Sequence, residues 1–288
     1  MEILTKRLAY IDAMRGFTMI LVVFSHVQYF GYGEFIQSVY NFCGGGSCLI
    51  YRDLITLFFM PLFFFISGFV LYKPDVEWNG IMSFKFIAKK ALQLLVPTLV
   101  FISLYIFVYN SPLNLLCRSG RLGYWFTIAL FEYYLLYTLF RWICYRLHRH
   151  EGTDWLLLSG SAILYFAVTQ SVLNRLGVNN ETISLLGLDQ LRFFFYFAIG
   201  SLVRKHFSWF KELLENGKII TLLIIAFFSL FLIVHRSGFT FGNAMMYHLY
   251  NFIGGLMALF IVLIFFYKYQ YVFENTCKMG KWLQYIGR

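Results

Sequence analysis

Eight apolar runs of near-bilayer length, separated by short polar segments, leave this chain few ways to fold. They lie at Ala13–Tyr32, Leu54–Tyr72, Ala91–Val108, Tyr124–Ile143, Trp155–Val172, Leu185–Val203, Ile219–Val234 and Tyr247–Tyr267. A hydrocarbon core of about 30 Å takes about 20 helical residues to cross. Backbone amides in lipid must bond within their own segment, and these runs are too long for barrel strands, so each reads as a helix. With 13% of its residues charged and 60% hydrophobic, the chain has too little charge to cover a soluble domain. The expected fold class is all-α, a polytopic membrane helical bundle of about eight spans. Asp189 and Arg192 interrupt the sixth run near its start.

The net charge of +10 invites a nucleic-acid reading, but the basic residues are not gathered in one patch. Of 24 Lys and Arg, only Arg52, Arg118, Arg121, Arg175, Arg192 and Arg236 fall in one set of alternating connections. The rest fall in the other set and at the ends. Positive residues concentrate on the cytoplasmic side, so the N-terminus is expected inside and no nucleic-acid partner is expected. Met1–Gly16 is too polar for a cleavable signal core, so the first span is expected to direct insertion. The loops are short, giving a single membrane domain over 1–288. Cys43 and Cys48 bracket a glycine-rich stretch of the first outer loop, where a disulfide is one of two open readings. Two cysteines do not make a zinc site, and no metal site is expected.

Ionisable groups placed in hydrocarbon are functional candidates, because their desolvation must be compensated. The first span carries three. Arg15 and His26 are eleven residues apart, which on an α-helix puts them within about 20° of one face and about 16 Å apart along the axis. Asp12 flanks the same stripe. Imidazole can serve as a general base near neutral pH, and a guanidinium fork matches phosphate or carboxylate oxygens. Each also has a plain structural reading, His26 as a packing histidine and Arg15 as an interfacial anchor. Lys85, Lys89 and Lys90 cluster before the third span, where they read equally as a topogenic patch or as a polyphosphate contact. Glu132 lies seven residues after Trp125, on nearly the same face of the fourth span. Asp189 and Arg192, three apart, are expected to pair with each other. His235, Arg236 and His248 read as hydrated residues at outer helix ends. No phosphate loop, zinc-protease helix or serine elbow is present, and Ser67 beside Gly68 reads as a packing serine. Residue chemistry alone leaves two classes open. One is acid–base catalysis; the other is a secondary transporter or flippase with His26, Glu132 and Arg15 as a proton or anion relay.

Four stretches of the chain resemble the integral-membrane acyltransferase family 3. They are Arg7-Leu8 through Ile11-Asp12, Arg15-Gly16 and His26; Phe59 to Phe69; Tyr124-Trp125-Phe126; and Phe193 to Gly200 followed by Arg204-Lys205. The resemblance implies transfer of an acyl group, acetyl foremost, from cytoplasmic acyl-CoA to a hydroxyl of an extracytoplasmic glycan or lipid-linked sugar, in the inner (cytoplasmic) membrane. Acyl-CoA would be a donor substrate, with no bound cofactor. His26 matches the family's catalytic histidine, Arg15 its arginine, with Asp12 beside them, and Trp125 a pocket wall. Glu132, Lys89 and Lys90 complete the substrate-binding residues expected. Where the family often has Arg-x-x-Arg before the third span, this chain has Lys90 and Gln93, which keeps one charge and loses the fork geometry. The family usually has about ten spans, so Gly280–Arg288 reads as the lead-in to a further one, with the last one or two spans lacking.

Overall fold

The computed structural model describes residues 8–31, 50–74, 76–109, 124–148, 152–235, 240–273 and 278–287. The cysteine pair considered above, Cys43 and Cys48, lies outside them. Among the described residues the secondary structure is helical, with no strand. In chain order the helices are α1 (Ala9–Gly31), α2 (Ile50–Leu71), α3 (Gly80–Tyr109), α4 (Trp125–Arg146), α5 (Thr153–Ala167), α6 (Gln170–Arg175) and α7 (Asn180–Leu186). A 3₁₀ turn (Leu188–Phe193) leads into α8 (Phe194–Lys205), followed by α9 (Phe207–Glu215), α10 (Gly217–Val234), α11 (Ala244–Lys268) and α12 (Lys278–Gly287). By length and hydropathy α1, α2, α3, α10 and α11 each suffice to cross a bilayer, which bears out the membrane helical class.

Two of the expected runs end elsewhere. The fifth stops at Ala167 instead of Val172, because Thr169 is extended and its hydroxyl donates back to the Phe166 carbonyl. The sixth is broken: α7 ends at Leu186, Gly187 takes a left-handed φ of 63°, and the chain turns as a 3₁₀ helix before α8 begins. A side chain bearing Cβ is disfavoured at that φ, so the glycine makes the break. Asparagines start other helices. Asn79, Asn179, Asn216 and Asn243 each accept a backbone N–H from the first turn of α3, α7, α10 and α11.

The chain divides into two compact units, one of Met1–Tyr72 with Val203–Arg288, the other of Lys73–Leu202. In the first, α2 is buried along most of its length, with Leu62, Phe64, Phe65 and Ile66 inaccessible beside Tyr10, Met14, Leu259 and Leu263. Gly254 of α11 lets Leu57 of α2 approach closely. Ser67 is buried in α2 and donates to the Phe63 carbonyl at 3.0 Å, the packing role its sequence suggested. Helices α1 and α12 approach backbone to backbone. A Cβ on Gly16 would run into the Leu283 carbonyl, and one on Gly287 into the Asp12 carbonyl. Lys278–Gly287, which overlaps the segment read as a lead-in, is a ten-residue helix seated on α1.

The second unit has an aromatic core. Phe197 of α8 meets Tyr133, Tyr134 and Tyr137 of α4 with ring centroids 5.4–6.0 Å apart. Tyr165 of α5 meets Phe195 and Tyr196 from the other side, at 6.4 and 6.1 Å. Edge-to-face contacts of this kind fix the rotation of one helix against another, because ring edges and faces carry opposite partial charge.

Candidate functional site

In the first unit α1 is unbroken from Ala9 to Gly31, so Asp12, Arg15 and His26 share one rigid helix. His26 is exposed, and its Nδ1 lies 2.8 Å from the Val22 carbonyl one turn back. A carbonyl can only accept, so Nδ1 carries the proton. In the neutral ring Nε2 then holds the lone pair that base chemistry needs. Arg15 is half-buried, and its Nη1 donates to the Gly287 carbonyl at 3.1 Å. Asp12 is buried, and its own backbone carbonyl is the one against Gly287. The acidic and basic members of the stripe are therefore set by the α1–α12 contact, while His26 lies farther along the helix.

Near the same end of this unit is a cluster that residue type alone does not reveal. Arg204, read as one of the inner-side charges, is only 5% exposed. Its guanidinium lies 5.2 Å from the Phe69 ring centroid, within electrostatic reach of Tyr10. Burial lowers the pKa of Arg204, with Tyr10 acting in the opposite sense. Phe207 and Tyr267 continue the aromatic wall, and the Tyr267 hydroxyl donates to Glu215 at 3.1 Å. Charge spacing in the sequence cannot separate Arg204 from Lys205, since only the tertiary fold buries one of the two.

His235 also departs from its hydrated reading. Its side chain is 12% exposed, Nε2 lies 3.3 Å from Asp53 Oδ2, and Nδ1 lies 2.9 Å from the Phe231 carbonyl. Both nitrogens face acceptors, an arrangement the doubly protonated ring satisfies. The ring also stacks on Phe231 at 4.0 Å, and Arg52 Nε approaches Asp53 Oδ1 at 3.8 Å. This ties the end of α10 to the start of α2. Asp53→Asn is expected to lower stability by about 1 kcal/mol, the scale of a partly exposed charged contact, read as a fall in the melting temperature of the detergent-solubilised protein. An unchanged melting temperature would show that the contact contributes nothing.

In the second unit the structure separates the two adjacent lysines. Lys89 is exposed, whereas Lys90 is half-buried with Nζ 4.4 Å from the Tyr134 ring centroid and 5.7 Å from that of Phe86. Gln93 is exposed. Lys90 is thus held by ring faces, a cation–π contact that a single positive charge can make without fork geometry. Trp125 opens α4 and packs against Phe193 at 6.3 Å, joining two of the stretches singled out in the sequence. Glu132 is half-buried on the same helix. Beside it, the Tyr133 hydroxyl donates to the Gln190 carbonyl of the 3₁₀ turn. The expected pairing of Asp189 with Arg192 does not form. Asp189 Oδ1 is buried without a hydrogen bond, and Arg192 lies over the Phe193 ring at 5.0 Å. The two residues lie on a 3₁₀ turn and not on the expected α-helix, and the Arg192 guanidinium is taken up by the ring face and not by the carboxylate. No group of three or more His, Cys, Asp or Glu that could hold a metal ion occurs among the described residues.

A family model described as an acyltransferase domain, acyltransferase 3, matches residues 8–288, nearly the whole chain. The chain belongs to the acyltransferase 3 family. It is a multi-pass membrane acyltransferase, and the stripe on α1, the Trp125–Phe193 contact and the α2 packing face all lie within the matched region. No curated protein and no solved structure matches the chain.

Proposed function

We propose that this acyltransferase moves an acyl group, acetyl foremost, from cytoplasmic acyl-CoA to a hydroxyl of an extracytoplasmic glycan or lipid-linked sugar, in the cytoplasmic membrane. The observation that carries this reading is the state of His26, an exposed imidazole whose Nδ1–H is engaged by the Val22 carbonyl. In the step proposed, Nε2 takes the proton of the acceptor hydroxyl as its oxygen attacks the thioester carbonyl. The tetrahedral adduct expels the CoA thiolate, which takes up a proton, leaving an oxygen ester and free CoA. The basic inner ends of the helices favour an anionic donor on the cytoplasmic side, since like-signed surface charge raises the local concentration of its counter-ion. Arg15, with Asp12 beside it, and the lysines at the head of α3 are the residues assigned to that donor. Trp125 and Glu132 are assigned to the acceptor.

The test is reconstitution of the full chain in nanodiscs with radiolabelled acetyl-CoA and a set of lipid-linked and free sugars. Label should pass to the sugar with one CoA released per ester formed. Sugar or proton flux across vesicles, with no CoA-dependent labelling, would replace this reading with the transporter one.

A further inference from the structure

The broken sixth run places ionisable groups where an intact helix would not. Asp189, Gln190 and Arg192 sit on the 3₁₀ turn, and the turn is pinned to α4 by the Tyr133 hydroxyl on the Gln190 carbonyl. Irregular backbone at membrane depth is tolerated where it is buried in protein or lines a polar cavity. Tyr133 lies within electrostatic reach of Glu132, Arg192 and Asp189, so these groups converge on one locality. Tyr133 and Gln190 are buried, while Trp125, Glu132, Asp189, Arg192 and Phe193 are half-buried. Asp189 Oδ1 is buried and accepts no hydrogen bond from a described residue, although Arg192 is three residues away and no ion pair joins them. A carboxylate oxygen kept from water without a donor is costly, and it marks a place where a ligand's donor would be welcome.

We propose that this turn and the head of α4 form the acceptor site, holding a pyranose ring against Trp125 and Phe193 while Asp189 and Arg192 bind its hydroxyls. The inference deepens the proposed function and rests on its sugar-directed reading. Sugar hydroxyls both donate and accept. Asp189 can therefore take a hydroxyl proton in a hydrogen bond while Arg192 gives one to a neighbouring oxygen. The aromatic pair offers faces for the ring's C–H side. Two carboxyl side chains, Asp189 and Glu132, against one guanidinium make the place unfavourable for a polyphosphate, which argues for the acceptor over the CoA donor. Positive-inside topology puts the head of α4 and the turn at the outer end of their spans, the side from which an extracytoplasmic sugar would come.

The experiment is saturation-transfer NMR on the full chain in nanodiscs with the methyl glycosides of glucose, galactose, rhamnose and N-acetylglucosamine. At least one should receive saturation, and Asp189→Asn or Arg192→Gln should each weaken its binding about tenfold or more, the scale of a lost charged hydrogen bond. Asp189→Asn should leave the melting temperature of the sugar-free protein equal or higher, because Asp189 Oδ1 has no hydrogen bond to lose. A variant that merely unfolds would lower it. Failure of every glycoside to bind, or binding by both variants at wild-type strength, overturns the site. Binding without any acyl transfer would leave the site standing and remove the enzymatic reading. Transfer with an unchanged acceptor KM in Asp189→Asn would do the reverse.

Discussion

His26→Ala is expected to reduce acyl transfer about 10²- to 10⁴-fold while the protein stays folded. That is the range in which positioned general bases contribute. His26 is exposed, and its Nδ1 hydrogen-bonds to the carbonyl of its own helix one turn earlier. Removing the ring therefore opens no cavity in the core, where large truncations cost several kcal/mol. The loss should fall on kcat at saturating donor, with donor KM little changed, because the base acts on the acceptor proton. His26→Gln should not rescue, since an amide can hold a hydrogen bond but cannot take the proton. Initial rates with labelled acetyl-CoA, beside melting curves of both variants, provide the check. Equal rates for wild type and His26→Ala would remove the histidine from the chemistry. Arg15 is a less clean probe, because its guanidinium also bonds to Gly287, so its loss mixes donor binding with helix packing.

The second large effect is structural. Gly16→Ala and Gly287→Ala are each expected to destabilise the first unit by about 1–3 kcal/mol or more, the cost of forcing extra atoms into a closed contact. The added Cβ at Gly16 would lie 2.8 Å from the Leu283 carbonyl carbon and 3.2 Å from the Gly287 nitrogen. At Gly287 it would lie 2.8 Å from the Gly16 nitrogen and 2.9 Å from the Asp12 carbonyl carbon. All of these are backbone atoms, so no side chain can swing aside and the two helices must separate. Small residues give membrane helices this close approach, and with it the van der Waals contact that replaces hydrophobic driving force in lipid. Separation would also stretch the bond from Arg15 to the Gly287 carbonyl, so activity should fall with stability. Gly160→Ala on α5 is the control. Nothing lies within 4 Å of its added Cβ, and that helix position should tolerate or gain from alanine. Melting temperatures of the three variants in one detergent decide the matter. If Gly16→Ala melts with the wild type, α12 does not hold α1 in the membrane-mimetic state.

How much was legible beforehand depends on the range over which each feature is encoded. That His26, Arg15 and Asp12 share one helix could be read from local spacing, a rule that survived into an unbroken α1. Trp125 could be named, but not its meeting with Phe193. The Asp189–Arg192 pair was expected from helical spacing, and it failed because spacing does not fix where a side chain turns: Arg192 lies over the Phe193 ring instead. His235 looked like a hydrated helix end until Asp53, from a distant part of the chain, supplied its partner.

What the sequence determined by itself was the class: helices and their approximate ends. Hydrocarbon forces backbone amides to bond locally, so helical runs can be read from short windows. What only the tertiary structure decided was which polar groups meet. The Arg15–Gly287 bond joins residues 272 apart and the Tyr133–Gln190 bond residues 57 apart. Such contacts leave no periodicity in the chain, because their partners are chosen by how close two helices can approach and where a third one breaks.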